Sequence, residues 1–508
     1  MIRSDIARAS AVLMLGNLAS RVLGVAREAT VVGMFGLSAA SSAFVTAATV
    51  PTMVYDLVIG GAISAAMVPL LAARADQPDT QRRVASGLLG LTLLVVGALA
   101  VAGFLAAEPI ARVLGTPVGT PTFDLTVSLI RIVIPSVLFL GAAAIYQALL
   151  QARGVFRYTA LSGGAFNAGI VVVGVTLGAT LGPIALAIGL LVGAAAQSVV
   201  QAWPLRGNLL VPRWPFGDPD VGKVARLYAP VAVGLVFSQA GIILDRYLAW
   251  STGAESIALM RSATTIVQLP LGLVGTALAV AVLPSLARSI DDRERFDETL
   301  GFGVRLAILT MAPATVGLIV LRDPLARFLF ERGAFGPDDS RAVAEAFLWY
   351  APQIPFWAVD QLLIAAYYAR QRTVTPMLVG VAGTILFAVL ALVLYRPFGV
   401  FGLIVSNTVQ NSVHCLVMYA LLWRDGHSPG RQRLAGAIAR AIAASIGAAA
   451  VVALAFSIAP APPDWWPNAL WLAVVGTGAV VAAGSILIAL RTPDLAGLTS
   501  RGARLFQR

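Results

Sequence analysis

The chain has 508 residues, 58% of them apolar and only 12% charged, with a mean hydropathy of +0.84. An ordinary soluble domain is about 25% charged, so a water-soluble enzyme or binding module is excluded. The net charge of +11 sits mostly in arginines of short loops on one side of a membrane, as the positive-inside rule explains without nucleic acid as a partner.

In chain order, Met1 to Leu23 resembles a signal peptide, with Arg3 and Arg8 ahead of an apolar run. No small-residue cleavage site follows and the helical pattern continues past Arg21, so this segment reads as a retained first membrane helix. A helix needs about 20 apolar residues to cross roughly 30 Å of hydrocarbon. Val84 to Ala107 supplies 24 residues without a charge, and Asn468 to Leu490 supplies 23. Fourteen spans are predicted, at 7–35, 40–73, 84–107, 124–152, 158–181, 184–205, 225–250, 256–287, 302–321, 343–369, 375–395, 399–423, 434–459 and 467–490.

One set of loops holds Arg74, Arg82, Arg83, Arg153, Arg157, Arg206, Arg213, Lys223, Arg288, Arg293, Arg295, Arg370, Arg372, Arg424, Arg431 and Arg433, whereas 36–39, 182–183 and 251–254 carry no arginine. Both termini are therefore expected in the cytoplasm. The loop near 322–342 departs from the rule, with Arg322, Arg327, Arg332 and Arg341 on the outer side, offset by Asp323, Glu331, Asp338 and Asp339.

An internal repeat recurs at 217 residues: Gly24 and Gly241, Glu28 and Asp245, Gly36 and Gly253, Pro135 and Pro352, Phe139 and Phe356, and Arg153 and Arg370. Arg206 and Arg424 are 218 apart, and Pro51 and Pro270 219. Six spans per copy is an even number, so both copies enter from the same side. The expected fold is an all-α membrane protein of about fourteen transmembrane helices, in two pseudo-symmetric six-helix lobes plus two C-terminal helices. The first lobe covers 1–212, the second 213–428, spans 13 and 14 fall at 429–492, and a basic cytoplasmic tail covers 493–508. A substrate would sit between the lobes near the midplane and cross by alternating access.

Ionisable residues inside spans are costly and usually functional. Arg21 lies seven residues before Glu28, on nearly the same helix face, with Arg27 beside it. These arginines suit an anionic head group, since guanidinium binds phosphate bidentately; an ion pair with Glu28, or snorkelling, is the structural alternative. Asp56 sits between Pro51 and Gly60-Gly61, in a helix bent to line a cavity, either as a substrate or ion contact or as a partner for Arg21. Asp245 and Arg246 lie near the outer end of span 7, and Arg261 opens span 8, which runs on to Gln268 and Pro270. Arg131 enters span 4 and is a further candidate for the cavity lining. Arg21, Arg27, Asp56 and Arg261 are the candidate substrate contacts, and Glu28, Asp245 and Arg246 the candidate coupling-ion or gating residues. Asp360 and Asn167 read first as helix–helix hydrogen-bonding groups.

Asp218-Pro219-Asp220 reads as a turn, and Trp465-Trp466 as an outer interfacial anchor. Cys415 alone excludes a disulfide framework, and with His414 and His427 too few for a metal cluster, no metal or cofactor is expected. There is no Walker A or nucleophile motif, and the longest loops, of about 20 residues, offer little room for a catalytic domain. No enzymatic activity is expected, with Na⁺, H⁺ or the membrane potential as the energy source.

The segments ASRVLGVAREATVVGMFG (19–36), VPTMVYDLVIGGAISAAMVPLL (50–71), GLLVGAAAQSVVQAWPLR (189–206), QLPLGLVGTALAVAVLPSLAR (268–288), FERGAF (330–335) and YYARQRTVTP (367–376) together resemble the MurJ/MviN lipid II flippases of the multidrug/oligosaccharidyl-lipid/polysaccharide exporter superfamily. The resemblance implies transport of the polyprenyl-linked peptidoglycan precursor lipid II across the bacterial inner membrane, with cell-wall synthesis proteins as possible partners. It also implies that Arg21 and Arg27 face a central cavity and that Asp245 belongs to an ion site. The chain departs from many relatives at Tyr55-Asp56 and Thr265, where they carry arginine, and at Ser42, where they carry an acid. Its predicted span 11 lacks the Asn or Asp that would complete a sodium site, and the absent arginines leave a less cationic cavity. A flippase for another polyprenyl-linked glycan is the alternative, ahead of a drug/cation antiporter or a membrane glycosyltransferase.

Overall fold

The computed structural model describes residues 2–58, 62–214, 222, 239–272, 286, 288–427 and 431–494, and every regular element among them is helical. Gly60, Gly61, Asp218, Asp220, Lys223 and the tail arginines Arg501, Arg504 and Arg508 lie outside the described residues. Contacts divide the chain into two compact units: Met1–Ala258 with Arg332–Phe335, and Leu259–Glu331 with Gly336–Arg508.

The first unit contains α1 (Ile2–Phe35), α2 (Ala39–Val58), α3 (Ala62–Ala72), α4 (Pro78–Leu105), α5 (Ala107–Val113), α6 (Pro121–Val133), α7 (Ser136–Ala152), α8 (Arg157–Leu181), α9 (Pro183–Ala202) and α10 (239–252). The helix α11 (Ser256–Pro270) begins at the division. The second unit continues with α12 (Arg293–Val320), α13 (Arg322–Phe330), α14 (Pro337–Tyr350), α15 (Gln353–Ala369), α16 (Val374–Phe398), α17 (Val400–Arg424), α18 (Arg431–Ile458) and α19 (Trp465–Ala489). Among the described residues, nine segments are long and apolar enough to cross a bilayer: Pro78–Leu105, Pro121–Ala152, Arg157–Leu181, Pro183–Leu205, Arg293–Val320, Val374–Phe398, Val400–Arg424, Arg433–Ile458 and Trp465–Ala489. Each overlaps a span expected from sequence. Of the other expected spans, 225–250 and 256–287 extend beyond the described residues, and 343–369 is two helices, α14 and α15, parted at Pro352.

Close helix approach in the first unit depends on glycine. At Gly169 and Gly193 any Cβ would collide with the backbone of the facing helix, and this lets α8 and α9 pack backbone to backbone. At Gly163 a Cβ would come within 2.5 Å of Ser20 Oγ, which sets the spacing of α1 and α8. One buried cluster joins α3, α4 and α7 through Met67, Leu71, Leu88, Leu89, Ile145 and Leu149. The segment Arg332–Phe335 packs on the end of α1: the Ala334 N–H donates to Gly33 O at 2.7 Å, and Phe335 is buried. Burial pushes the Arg332 guanidinium below its ordinary range. Elsewhere in the 322–342 segment Arg322 pairs with Asp323 at 3.7 Å and Arg341 with Asp338.

In the second unit, α18 presents Ala437, Ala441, Ala444, Ala448 and Val452 on one face to α12 and α19. Arg305 of α12 holds Asp494, just past α19, bidentately, with Nη2 to Oδ1 at 2.7 Å and Nε to Oδ2 at 3.0 Å, both side chains under a tenth exposed.

The 217-residue repeat recurs as backbone geometry. Pro135 precedes α7 and Pro352 precedes α15. Gly182 (φ 58°) turns α8 into α9, and Gly399 (φ 57°) turns α16 into α17. Gly154 (φ 71°) follows α7, and the position 217 on, after α15, is Gln371 with φ 58°. A non-glycine residue in the left-handed region costs about 1–2 kcal/mol, most for β-branched side chains. Gln371→Val is therefore expected to lower thermal stability in detergent, and Gln371→Gly to leave it unchanged or raised, as read by fluorescence-detected size exclusion after heating.

Candidate functional site

Two groups of the expected site residues are assembled within the first unit. On α1, the Arg27 Nη1 donates to Asn167 Oδ1 of α8 at 3.1 Å, and its Nη2 lies 3.8 Å from the carboxylate of Glu28, which is buried. The Asn167 amide nitrogen donates back to Ser20 O at 3.2 Å and to Gly163 O at 3.0 Å. Asn167 thus stitches α1 to α8 and at the same time orients the Arg27 guanidinium. Arg21 lies a turn and a half before Arg27 and is partly exposed.

The second group links α10 to α2. Arg246 Nη1 pairs with Asp245 at 3.3 Å, and its Nε donates to Thr49 Oγ1 at 3.4 Å. One turn further on, Trp250 Nε1 donates to Thr46 Oγ1 at 3.1 Å. The Ala258 N–H, in the first turn of α11, donates to Ser42 Oγ at 3.3 Å. Sequence reasoning missed Thr46, Thr49 and Trp250, and named Ser42 only as a departure from the family pattern. The signal was available: positions 42, 46, 49 and 56 fall on one face of a helix, so Asp56 belongs to the same polar stripe of α2. Among the described residues Asp56 has no hydrogen-bond or ion-pair partner, and its side chain is partly exposed. Ser42 is a fully buried hydroxyl whose oxygen accepts from the start of α11.

Arg261 falls in the second unit, partly buried, and its backbone carbonyl accepts from the hydroxyls of Thr264 at 2.9 Å and Thr265 at 3.0 Å. Arg131 pairs loosely with Glu108 at 3.4 Å in an exposed position, which points to an interfacial role. A buried guanidinium that keeps a neutral amide and a carboxylate as partners can exchange one of them for an incoming anion without being stranded in low dielectric.

The sequence profile described as Lipid II flippase MurJ matches residues 31–475. The chain belongs to the MurJ family. The match starts past Arg21, Arg27 and Glu28 and takes in the α2 stripe, α10 and the second unit through the middle of α19. The chain is 30% identical over 432 residues to the probable lipid II flippase MurJ of Vibrio cholerae, covering 82% of this chain and 81% of that one. It is 28% identical to the Haemophilus influenzae counterpart, over 79% of this chain and 83% of the relative. Among solved structures, a lipid II flippase MurJ in an inward closed conformation superposes with a TM-score of 0.79 at 20% identity, covering 94% of this chain and 99% of that one. An inward-facing multidrug MATE transporter of the MOP superfamily gives 0.67 at 16% identity, covering 84% and 98%. The fold is therefore the all-α, multi-pass membrane architecture shared by MurJ and MATE proteins.

If Asn167 both clamps α1 to α8 and orients Arg27, Asn167→Ala should lower stability by about 1–2 kcal/mol, given roughly 0.6 to 1.7 kcal/mol for each interhelical bond in membranes. Asn167→Asp should retain an acceptor for Arg27 while losing the bonds to Ser20 O and Gly163 O. Melting of both variants in detergent checks this; equal melting of wild type and Asn167→Ala would remove Asn167 from the account.

Proposed function

We propose that this protein is a lipid II flippase, carrying the polyprenyl-linked peptidoglycan precursor from the cytoplasmic to the outer leaflet of the bacterial inner membrane by alternating access. Family membership across residues 31–475 carries the reading, and the polar groups within α1, α2 and α10 supply its chemistry. A lipid-linked pyrophosphate carries about two negative charges, and burying even one ion in hydrocarbon costs many kcal/mol. Guanidinium groups lining a hydrated path replace that lost hydration while the polyprenyl tail remains in lipid.

In this reading the chain has fourteen spans with both termini cytoplasmic, arranged as lobes at 1–212 and 213–428 followed by two further helices. Arg21, Arg27, Asp56 and Arg261 receive the head group, and Glu28, Asp245 and Arg246 respond to the coupling ion or gate the path. No cofactor is needed. The membrane potential, worth about 2.3 kcal/mol per charge per 100 mV, is one source of drive. Transport involves no covalent step on the substrate, and cell-wall synthesis proteins are its natural partners.

Depletion of the protein should strand lipid II in the cytoplasmic leaflet, as read by a leaflet-accessibility assay in intact cells. Arg21→Ala should reach the membrane at normal levels and fail to restore growth of the depleted strain. Normal lipid II exposure on depletion, with a different polyprenyl-linked glycan held inside, would reassign the substrate; normal growth of Arg21→Ala would remove that arginine from the path.

A further inference from the structure

The second unit holds an ionisable pair that the flippase reading does not use. Asp360 of α15 and His414 of α17 meet at 2.9 Å between Oδ1 and Nδ1, and their side chains are 12% and 14% exposed. His414 is fourteen residues from the start of α17 and ten from its end, about 21 Å and 15 Å at 1.5 Å per residue, so the pair lies deep within a membrane-spanning helix. Above it α17 carries Asn407, Gln410 and Asn411 at spacings of three and four, on one face. The Asn411 amide bonds to Asn407 Oδ1 at 3.3 Å and to Gln353 of α15. On the third side Gly383 of α16 opens room, with Gln410 and His414 carbons both within 3.8 Å of where its Cβ would stand. The result is a ladder of neutral polar side chains that runs from the Val400 side of the helix down to one carboxylate and one imidazole.

We propose that Asp360 and His414 together form a proton-binding site that couples transport to the proton gradient across the membrane. The coupling half of this statement rests on the flippase reading; the binding half does not. The physical reason is charge. With a neutral imidazole the pair is a buried anion of charge −1; one added proton makes it neutral overall. In a low-dielectric interior the neutral pair is the state favoured by desolvation. Nδ1–H donates to the Asp360 carboxylate, and Nε2 keeps the lone pair that takes the added proton from water. Protonated, the pair is an ion pair clasping α15 to α17; deprotonated, it is a neutral imidazole on a carboxylate, and the two helices are held less firmly.

Among the described residues, no other charge on the packed helices can take this part. Between Val374 and Leu394, α16 has no ionisable residue. Besides Asp360, α15 offers only Tyr367 and Tyr368, both in its last turn. Within the membrane stretch of α12 the sole charge is Arg305, already held by Asp494. On α14, Asp338 and Asp339 belong to the first turn, Arg341 follows and pairs with Asp338, Glu345 is exposed, and Tyr350 closes the helix. Cys415, beside His414, is buried and is the remaining titratable neighbour.

The repeat argues that the pair is not demanded by the fold. Counting back 217 residues, Asp360 falls on Ala143, which is 1% exposed, and His414 falls on Gln197. The first half of the chain builds the corresponding helices, α7 and α9, with neither ionisable group.

Two measurements test the proposal. The chain contains only two histidines, His414 and His427, so protein labelled with ¹⁵N-histidine in nanodiscs gives two imidazole signals, and His427→Gln assigns them. The His414 signal should respond to pH in the wild type, and Asp360→Asn should alter that response. A signal that titrates identically in wild type and Asp360→Asn, or that stays neutral throughout, overturns the site. In proteoliposomes with lipid II and zero membrane potential, a gradient of one pH unit, acid on the outer-leaflet side, should bias translocation by about tenfold per proton. Asp360→Asn and His414→Gln should lose that bias and keep gradient-independent translocation. An undiminished pH bias in both variants overturns the coupling. Wild-type protein that moves no lipid II while His414 still titrates with Asp360 contradicts the flippase reading and leaves the proton site standing.

Discussion

Everything in this structure answers to the absence of water inside a bilayer. Backbone groups there must bond within the chain, which leaves helices as the available element, and each charge needs a partner within reach. The described ion pairs follow that rule with different stringency. Arg305 and Asp494 satisfy one another bidentately and completely, as a permanent structural tie requires. Arg27 is held by a neutral amide at 3.1 Å and a carboxylate at the longer 3.8 Å. Asp56 has no such partner among the described residues.

Helix packing is governed by the same scarcity of driving force. Between apolar helices in lipid, association comes from close contact and interhelical hydrogen bonds. The Gly169–Gly193 approach brings α8 and α9 together at the backbone, and a stripe of alanines on α18 does the same against α12 and α19. Hydroxyl and amide groups then fix register: Asn167 between α1 and α8, Ser42, Thr46 and Thr49 between α2 and the α10–α11 segment.

The large apolar spans were legible in the sequence because their signal is local: length, lack of charge and flanking arginines. The nine qualifying segments fall where uncharged runs predicted them. What was not legible is tertiary. Ser42, Thr46 and Thr49 look like ordinary small residues of an apolar helix until α10 is placed opposite, when they become acceptors for Arg246, Trp250 and the start of α11. The break of 343–369 into α14 and α15 could have been read from Pro352, whose ring forbids a continuous hydrogen-bond ladder, and its repeat mate Pro135 marks the same break before α7.

The repeat offers a further discrimination that neither composition nor packing supplies. Positions alike in both copies report what the fold requires: left-handed backbone at 154 and 371 and at 182 and 399 recurs with the 217-residue period even where glycine has been replaced by Gln371. Conserved geometry with a changed residue means that the turn is structural. The converse also holds. Where one copy carries buried polar chemistry and the other carries alanine, as at Asp360 and Ala143, the helix has been shown by its own twin to stand without it. A duplicated transporter thereby contains an internal control: at Asp360 and His414 the second copy buries ionisable groups that the first copy of the fold does without.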